Sequence, residues 1–178
     1  MNMIVNILIV LPILIAIPLI VALFTKKEYA IEREIIINKP KQDVFEYIRF
    51  LKYQDNYSKW VMTDPAMKKE FIGTDGTLGF VYKWDSKNKN AGKGEQEIKK
   101  INEGERMDIE VRFEKTFEGI AEIPIMTKSI SANQTKVKWG MMGKNKYPMN
   151  LMNLFIDKML GKDLTTSLSN LKNILENN

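Results

Sequence analysis

Two polar side chains interrupt an otherwise apolar phase of the alternating stretches, the phenol of Tyr82 and the amide of Gln96. They define what chemistry the chain can support. A phenol has a reference pKa near ~10, so unaided it donates a hydrogen bond at neutral pH and does not shuttle a proton. The sequence contains no histidine and no cysteine. That inventory excludes histidine-based triads, thiol nucleophiles, the usual zinc sites and disulfides. An enzyme built from this chain would work with carboxylates, Lys, Tyr or Ser, and the loop residues Asp64 and Asp85 are the carboxylates that could assist Tyr82. Binding is favoured over catalysis, with Tyr82 and Gln96 orienting the polar end of an apolar guest. No catalytic residue, metal ligand or cofactor is expected.

The elements that position these groups read as strands. Residues 77–84 place Leu78, Phe80, Tyr82 and Trp84 on one side, and 92–101 place Gly94, Gln96 and Ile98 together. Residues 106–113 alternate Met107, Ile109, Val111 and Phe113 with charged residues, as a half-buried antiparallel strand does. Residues 116–127 bring Phe117, Ala121, Ile123 and Ile125 to one face, and Pro124 points to an edge position or a bulge. Residues 136–142 contribute Val137, Trp139 and Met141. With 67–72 and an isoleucine-rich opening strand over 30–38, about seven antiparallel strands result. A short helix from Pro40 and a second helix or turn ending on Trp60 lie between the first two.

A one-sided sheet needs a cover. Residues 148–177 carry Leu151, Met152, Phe155, Met159, Leu160, Leu164, Leu168, Leu171, Ile174 and Leu175 at spacings of three and four, predicting an amphipathic helix about 45 Å long. Gly161, near its middle, predicts a bend or close packing. The space between sheet and helix is expected to be a ligand cavity lined by Trp60, Phe80, Tyr82, Trp84, Gln96, Met107, Ile109, Val111, Phe113, Trp139, Met141, Met152, Phe155 and Met159.

None of the 27 basic and 22 acidic side chains precedes Lys26. The apolar run from Met3 to Phe24 approaches the ~20 residues that cross a ~30 Å hydrocarbon core, and prolines such as Pro12 and Pro18 are tolerated in membrane helices. It lacks a basic leader and a small-residue cleavage site, so it reads as an anchor and not a cleaved signal. Lys26, Lys27, Arg33, Lys39 and Lys41 follow it, which predicts a single-pass protein of the cell membrane with its domain in the cytoplasm. The expected organisation is an anchor over 1–25, a linker over 26–30 and one domain over 31–178. The net charge of +5 is spread among alternating lysines and glutamates, which favours proximity to a membrane over nucleic acid. Oligomeric state is not encoded legibly.

Several stretches carry a resemblance. They are Glu32-Arg33-Glu34-Ile35-Ile36-Ile37-Asn38-Lys39-Pro40 with Val44-Phe45, then Trp60, Gly92-Lys93-Gly94 and Gly104-Glu105-Arg106-Met107. Near the end come Thr135-Lys136-Val137-Lys138-Trp139-Gly140-Met141-Met142-Gly143 and Gly161-Lys162-Asp163-Leu164 with Leu168 and Leu171. In this order they resemble the START-like (SRPBCC) superfamily, in particular its polyketide cyclase/dehydrase branch. The resemblance implies an α+β helix-grip (START/Bet v 1-like) fold and a cavity for a lipid or other hydrophobic small molecule, without one fixed reaction. A cyclase/dehydrase-type enzyme and an interaction scaffold with a filled cavity are the alternatives; a closed core beside an exposed apolar patch would favour the scaffold.

Overall fold

The computed structural model describes residues 3–115 and 118–177, with backbone alone for 3–11 and 115. Phe117, expected on the inner face, lies outside the described residues. Helix α1 (Met3–Phe24) leads into strand β1 (Glu28–Ile37), so the sheet begins within residues expected as a linker. Helix α2 (Lys41–Arg49), a 3-10 turn (Leu51–Tyr53) and the one-turn helices α3 (Gln54–Tyr57) and α4 (Lys59–Met62) follow. Asp43 stands in the first turn of α2 and Arg49 in its last, both on the side favoured by the helix dipole.

Strands β2 (Lys68–Ile72), β3 (Val81–Asp85), β4 (Lys93–Asn102), β5 (Arg106–Lys115), β6 (Gly119–Ser131) and β7 (Gln134–Lys144) complete a seven-stranded antiparallel sheet in the order β1-β7-β6-β5-β4-β3-β2. A 3-10 segment (Met149–Leu154) then precedes the closing helix α5 (Ile156–Asn177), which packs chiefly on β1. Its 22 residues give about 33 Å, shorter than the span expected for 148–177.

The inward phases of β4 to β7 are those the alternation predicts. Ile98, Met107, Ile109, Ile123, Ile125, Val137 and Trp139 are buried with Leu164, Leu168 and Leu171 of α5 in one apolar core. Pro124 departs from expectation, because β6 is an interior strand. Its pairing with β7 lapses between Glu122↔Met142 and Ile125↔Trp139, and Gly140 opposite leaves room for the proline ring. A Cβ on Gly140 would lie 3.0 Å from Pro124 Cγ.

The expected run 77–84 begins too early. Gly79 adopts φ +80° in a turn, β3 starts at Val81, and Leu78 is 69% exposed. At Gly161 the structure shows the close packing expected there, with α5 continuous through it. A Cβ there would fall 2.1 Å from Arg33 Nη2, so the glycine makes space for an arginine that β1 turns inward.

Candidate functional site

Of the predicted lining, Phe80, Tyr82, Gln96, Met107, Ile109, Val111, Trp139 and Met141 are buried on the inner face, while Trp60, Trp84, Phe113 and Met152 are partly buried. Trp60 and Tyr57 both meet the Trp139 ring edge-on, with centroids 6.1 and 5.8 Å away, and Trp84 meets Phe113 the same way at 6.1 Å. Phe155 and Met159, expected in the lining, are instead 57% and 51% exposed. The reason is phase. The 3-10 segment before Phe155 advances three residues per turn, so the helical spacing read from residue 148 does not carry through it, while Met159, within α5, lies nine residues before Leu168 and hence half a turn round the helix from it. The inner residues pack on one another and on α5 in one apolar core.

A polar cluster lies at one side of that core. Tyr82 donates its hydroxyl hydrogen to Asp55 Oδ1 (2.9 Å), and Asp55 Oδ2 pairs with Lys69 Nζ (2.7 Å). Beside it Gln96 donates to Gln54 Oε1 (3.0 Å), a bond between two buried amides. Burial and the neighbouring Asp55 carboxylate drive the Tyr82 pKa well above the usual phenol range, so the hydroxyl stays protonated. The carboxylate beside Tyr82 is therefore Asp55 of α3, not Asp64 or Asp85; Asp64 instead accepts from Ser86 (2.5 Å). Arg33, Asp55 and Lys69 are the charged groups that reading the strand phases missed. Among the described residues, Tyr57 OH and Trp139 Nε1 are buried without a hydrogen-bond partner. No acidic or histidine cluster fit for a metal ion occurs among the described residues.

A concavity lies elsewhere. An open groove of about 690 Å³ runs between the end of α1, the start of β1 and the entry to α5. Ile20, Val21, Phe24, Tyr29, Ala30, Ile31, Leu154 and Ile156 give it apolar walls, and Lys26, Glu28, Asn153 and Asp157 stand among them. Burial raises the pKa of Tyr29 in its wall. A smaller concavity of about 340 Å³ on the outer sheet face is lined by charges of both signs, including Arg106, Asp108, Glu110 and Glu122. Among the described residues no helix is long and apolar enough to cross a membrane; the side chains of 3–11, in the first half of α1, lie outside that description.

No family model and no curated protein matches the sequence. Solved structures do match in shape. Norcoclaurine synthase from Thalictrum flavum, in complex with dopamine and hydroxybenzaldehyde, superposes with a TM-score of 0.60 at 10% identity, covering 87% of this chain and 90% of that one. Ara h 8.0201 gives 0.56 at 16% identity over 85% and 99%. Protein CV1439 from Chromobacterium violaceum gives 0.59 at 12% over 83% and 96%. At such identities the likeness speaks for fold alone: the seven-stranded antiparallel sheet closed by a carboxy-terminal helix is a Bet v 1-like helix-grip fold.

Proposed function

We propose that this chain is a membrane-tethered binding protein for an apolar small molecule, a lipid foremost, taken up in the groove between α1, β1 and the entry to α5. The observation that carries the reading is the groove itself, about 690 Å³ with apolar walls contributed in part by α1. The anchor is supported by a 22-residue helix without a charged side chain, whose Ile13, Leu14, Ile15 and Ile17 are exposed. The lysines after it favour a cytoplasmic domain. In this reading the inner-face residues from Phe80 to Met141 hold the scaffold, and the groove holds the guest.

Native mass spectrometry of the full chain released from membranes tests this. One lipid should survive activation that strips the rest, and Ala30→Trp, which fills the groove, should abolish its retention. Equal retention by both proteins, or none by either, would refute the groove as the binding site.

A second reading, a cyclase/dehydrase-type enzyme, is supported by the Tyr82–Asp55–Lys69 cluster, where a protonated phenol could polarise a carbonyl once Asp55 releases it. Turnover insensitive to Tyr82→Phe would dismiss it. The buried core beside exposed Leu154, Phe155 and Met159 also supports the scaffold reading. The position of Leu154 beside Ile20, Val21 and Phe24 of α1 favours lipid over protein as the partner.

A further inference from the structure

We propose that the 3-10 segment Met149–Leu154 and the first turns of α5 form a docking face for an anionic lipid surface, pressing the domain onto the bilayer that α1 enters. The inference rests on the reading of α1 as an anchor and extends it to the orientation of the whole domain.

Two asparagines fix the height of this face. Asn150 Nδ2 donates to the carbonyls of Ala22 (2.6 Å) and Thr25 (2.8 Å), and Asn153 Nδ2 to those of Lys26 and Lys27 (2.9 Å each). These carbonyls belong to the end of α1 and the residues just beyond, where an α-helix leaves its acceptors unpaired. Asn150 is fully buried in the contact. Ala22 lies about 3 Å along the axis from the last residue of α1, so the segment is held level with the helix end. In a spanning helix that level is the headgroup region.

The side chains presented there suit such a layer. Met149, Leu154, Phe155 and Met159 are exposed. Residues 155, 158, 159 and 162 recur at three and four, which sets Lys158 and Lys162 beside Phe155 and Met159. Among the described residues Lys146, Lys158 and Lys162 are in no ion pair, whereas Asp157 in the same turn is occupied by Arg33 (2.9 Å). Apolar side chains flanked by uncommitted lysines match an interface of acyl chains under anionic headgroups. Continuity with α1 selects a lipid surface over a protein.

The chain has no cysteine, so single introduced thiols report unambiguously. The full chain, carrying a fluorophore at Phe155→Cys or Met159→Cys, is placed in vesicles of phosphatidylcholine and phosphatidylglycerol with a nitroxide near the headgroup. Ile15→Cys in α1, about 14 Å along the axis from Phe24 and therefore read with the nitroxide moved deep onto the acyl chain, and Ala132→Cys serve as references. Ala132 lies in the turn between β6 and β7, at the far end of β1 from α1. Quenching at 155 and 159 but not at 132 is expected. Each of Lys158→Gln and Lys162→Gln should lower the docked-to-undocked ratio about fivefold, and salt should act in the same direction. Labels at 155 and 159 left unquenched while 15 is quenched would overturn the docking face and spare the anchor, even if they are shielded from a water-soluble quencher, as a protein partner or second copy would shield them. An unquenched label at 15 would sink both.

Discussion

The Arg33 guanidinium of β1 occupies the place where residue 161 of α5 would carry a Cβ, and its Nη2 pairs with Asp157 one turn earlier at 2.9 Å. Helix and edge strand are thus joined by a charged group seated on a glycine. In an ordinary helix interior Gly→Ala stabilises by roughly 1 kcal/mol. Here the methyl must displace the guanidinium, the end of a flexible side chain, and its exposed pair with Asp157, so Gly161→Ala should forfeit most of that gain and leave stability within about 1 kcal/mol of the parent. In an Arg33→Ala background the same change should revert to stabilising. Thermal unfolding of the four proteins of this cycle, followed by circular dichroism, measures the coupling; additive effects would refute the steric account.

Gly94 supplies a second steric test, this time against backbone. A Cβ there would lie 2.4 Å from the Arg112 carbonyl oxygen and 2.8 Å from the Trp84 ring, where β4 and β5 shift register. Gly94→Ala should cost about 2–4 kcal/mol, at the severe end for one methyl group. Gly119→Ala, with open space around its Cβ, should be close to neutral. Equal melting temperatures for the two variants would contradict this.

Alkaline titration should expose the buried phenols. Tyr82 is pushed up by burial and by Asp55, and Tyr57 by burial, Tyr47 and Asp75. Both hold their protons in the folded protein where the unfolded chain, at 10.0, has lost them. Folding stability is therefore intact below that value and falls as pH rises above it, by up to about 1.4 kcal/mol per pH unit for each phenol. Tyr82→Phe should make the decline shallower. Tyrosinate absorbance should show both phenols ionising only as the fold is lost; early ionisation of the full complement would negate the assignment.

Removing the asparagine clasp should loosen α1 from the domain. Asn150→Ala deletes bonds to Ala22 and Thr25 inside a buried contact, worth about 1–3 kcal/mol together. Spin labels at Ile15→Cys and Ala132→Cys should then give a broader distance distribution. An unchanged distribution would show that other contacts fix the angle.

The sheet was legible because β5 and β7 alternate cleanly: Met107, Ile109, Val137 and Trp139 each fall inward as period two requires. The grip of α5 was legible in Leu164, Leu168 and Leu171. Phe155 misled because a helical period was extended back across a segment that winds as 3-10, Met159 because its four-residue step from Phe155 put it on the side of α5 opposite Leu168, and Leu78 because alternation was extended into a turn. Asp55 left no local signal; it reaches Tyr82 from 27 positions away, on a helix of one turn. The groove was illegible for the same reason, since its walls come from three separated stretches.

Only Thr25 to Lys27 separate α1 from β1, and their carbonyls are already held. Three residues span at most about 11 Å, so the mooring has almost no slack. With α1 held in a bilayer as proposed, the domain could not range through the surrounding water in search of cargo; whatever it received would have to be handed over within arm's length of the point where the chain emerges.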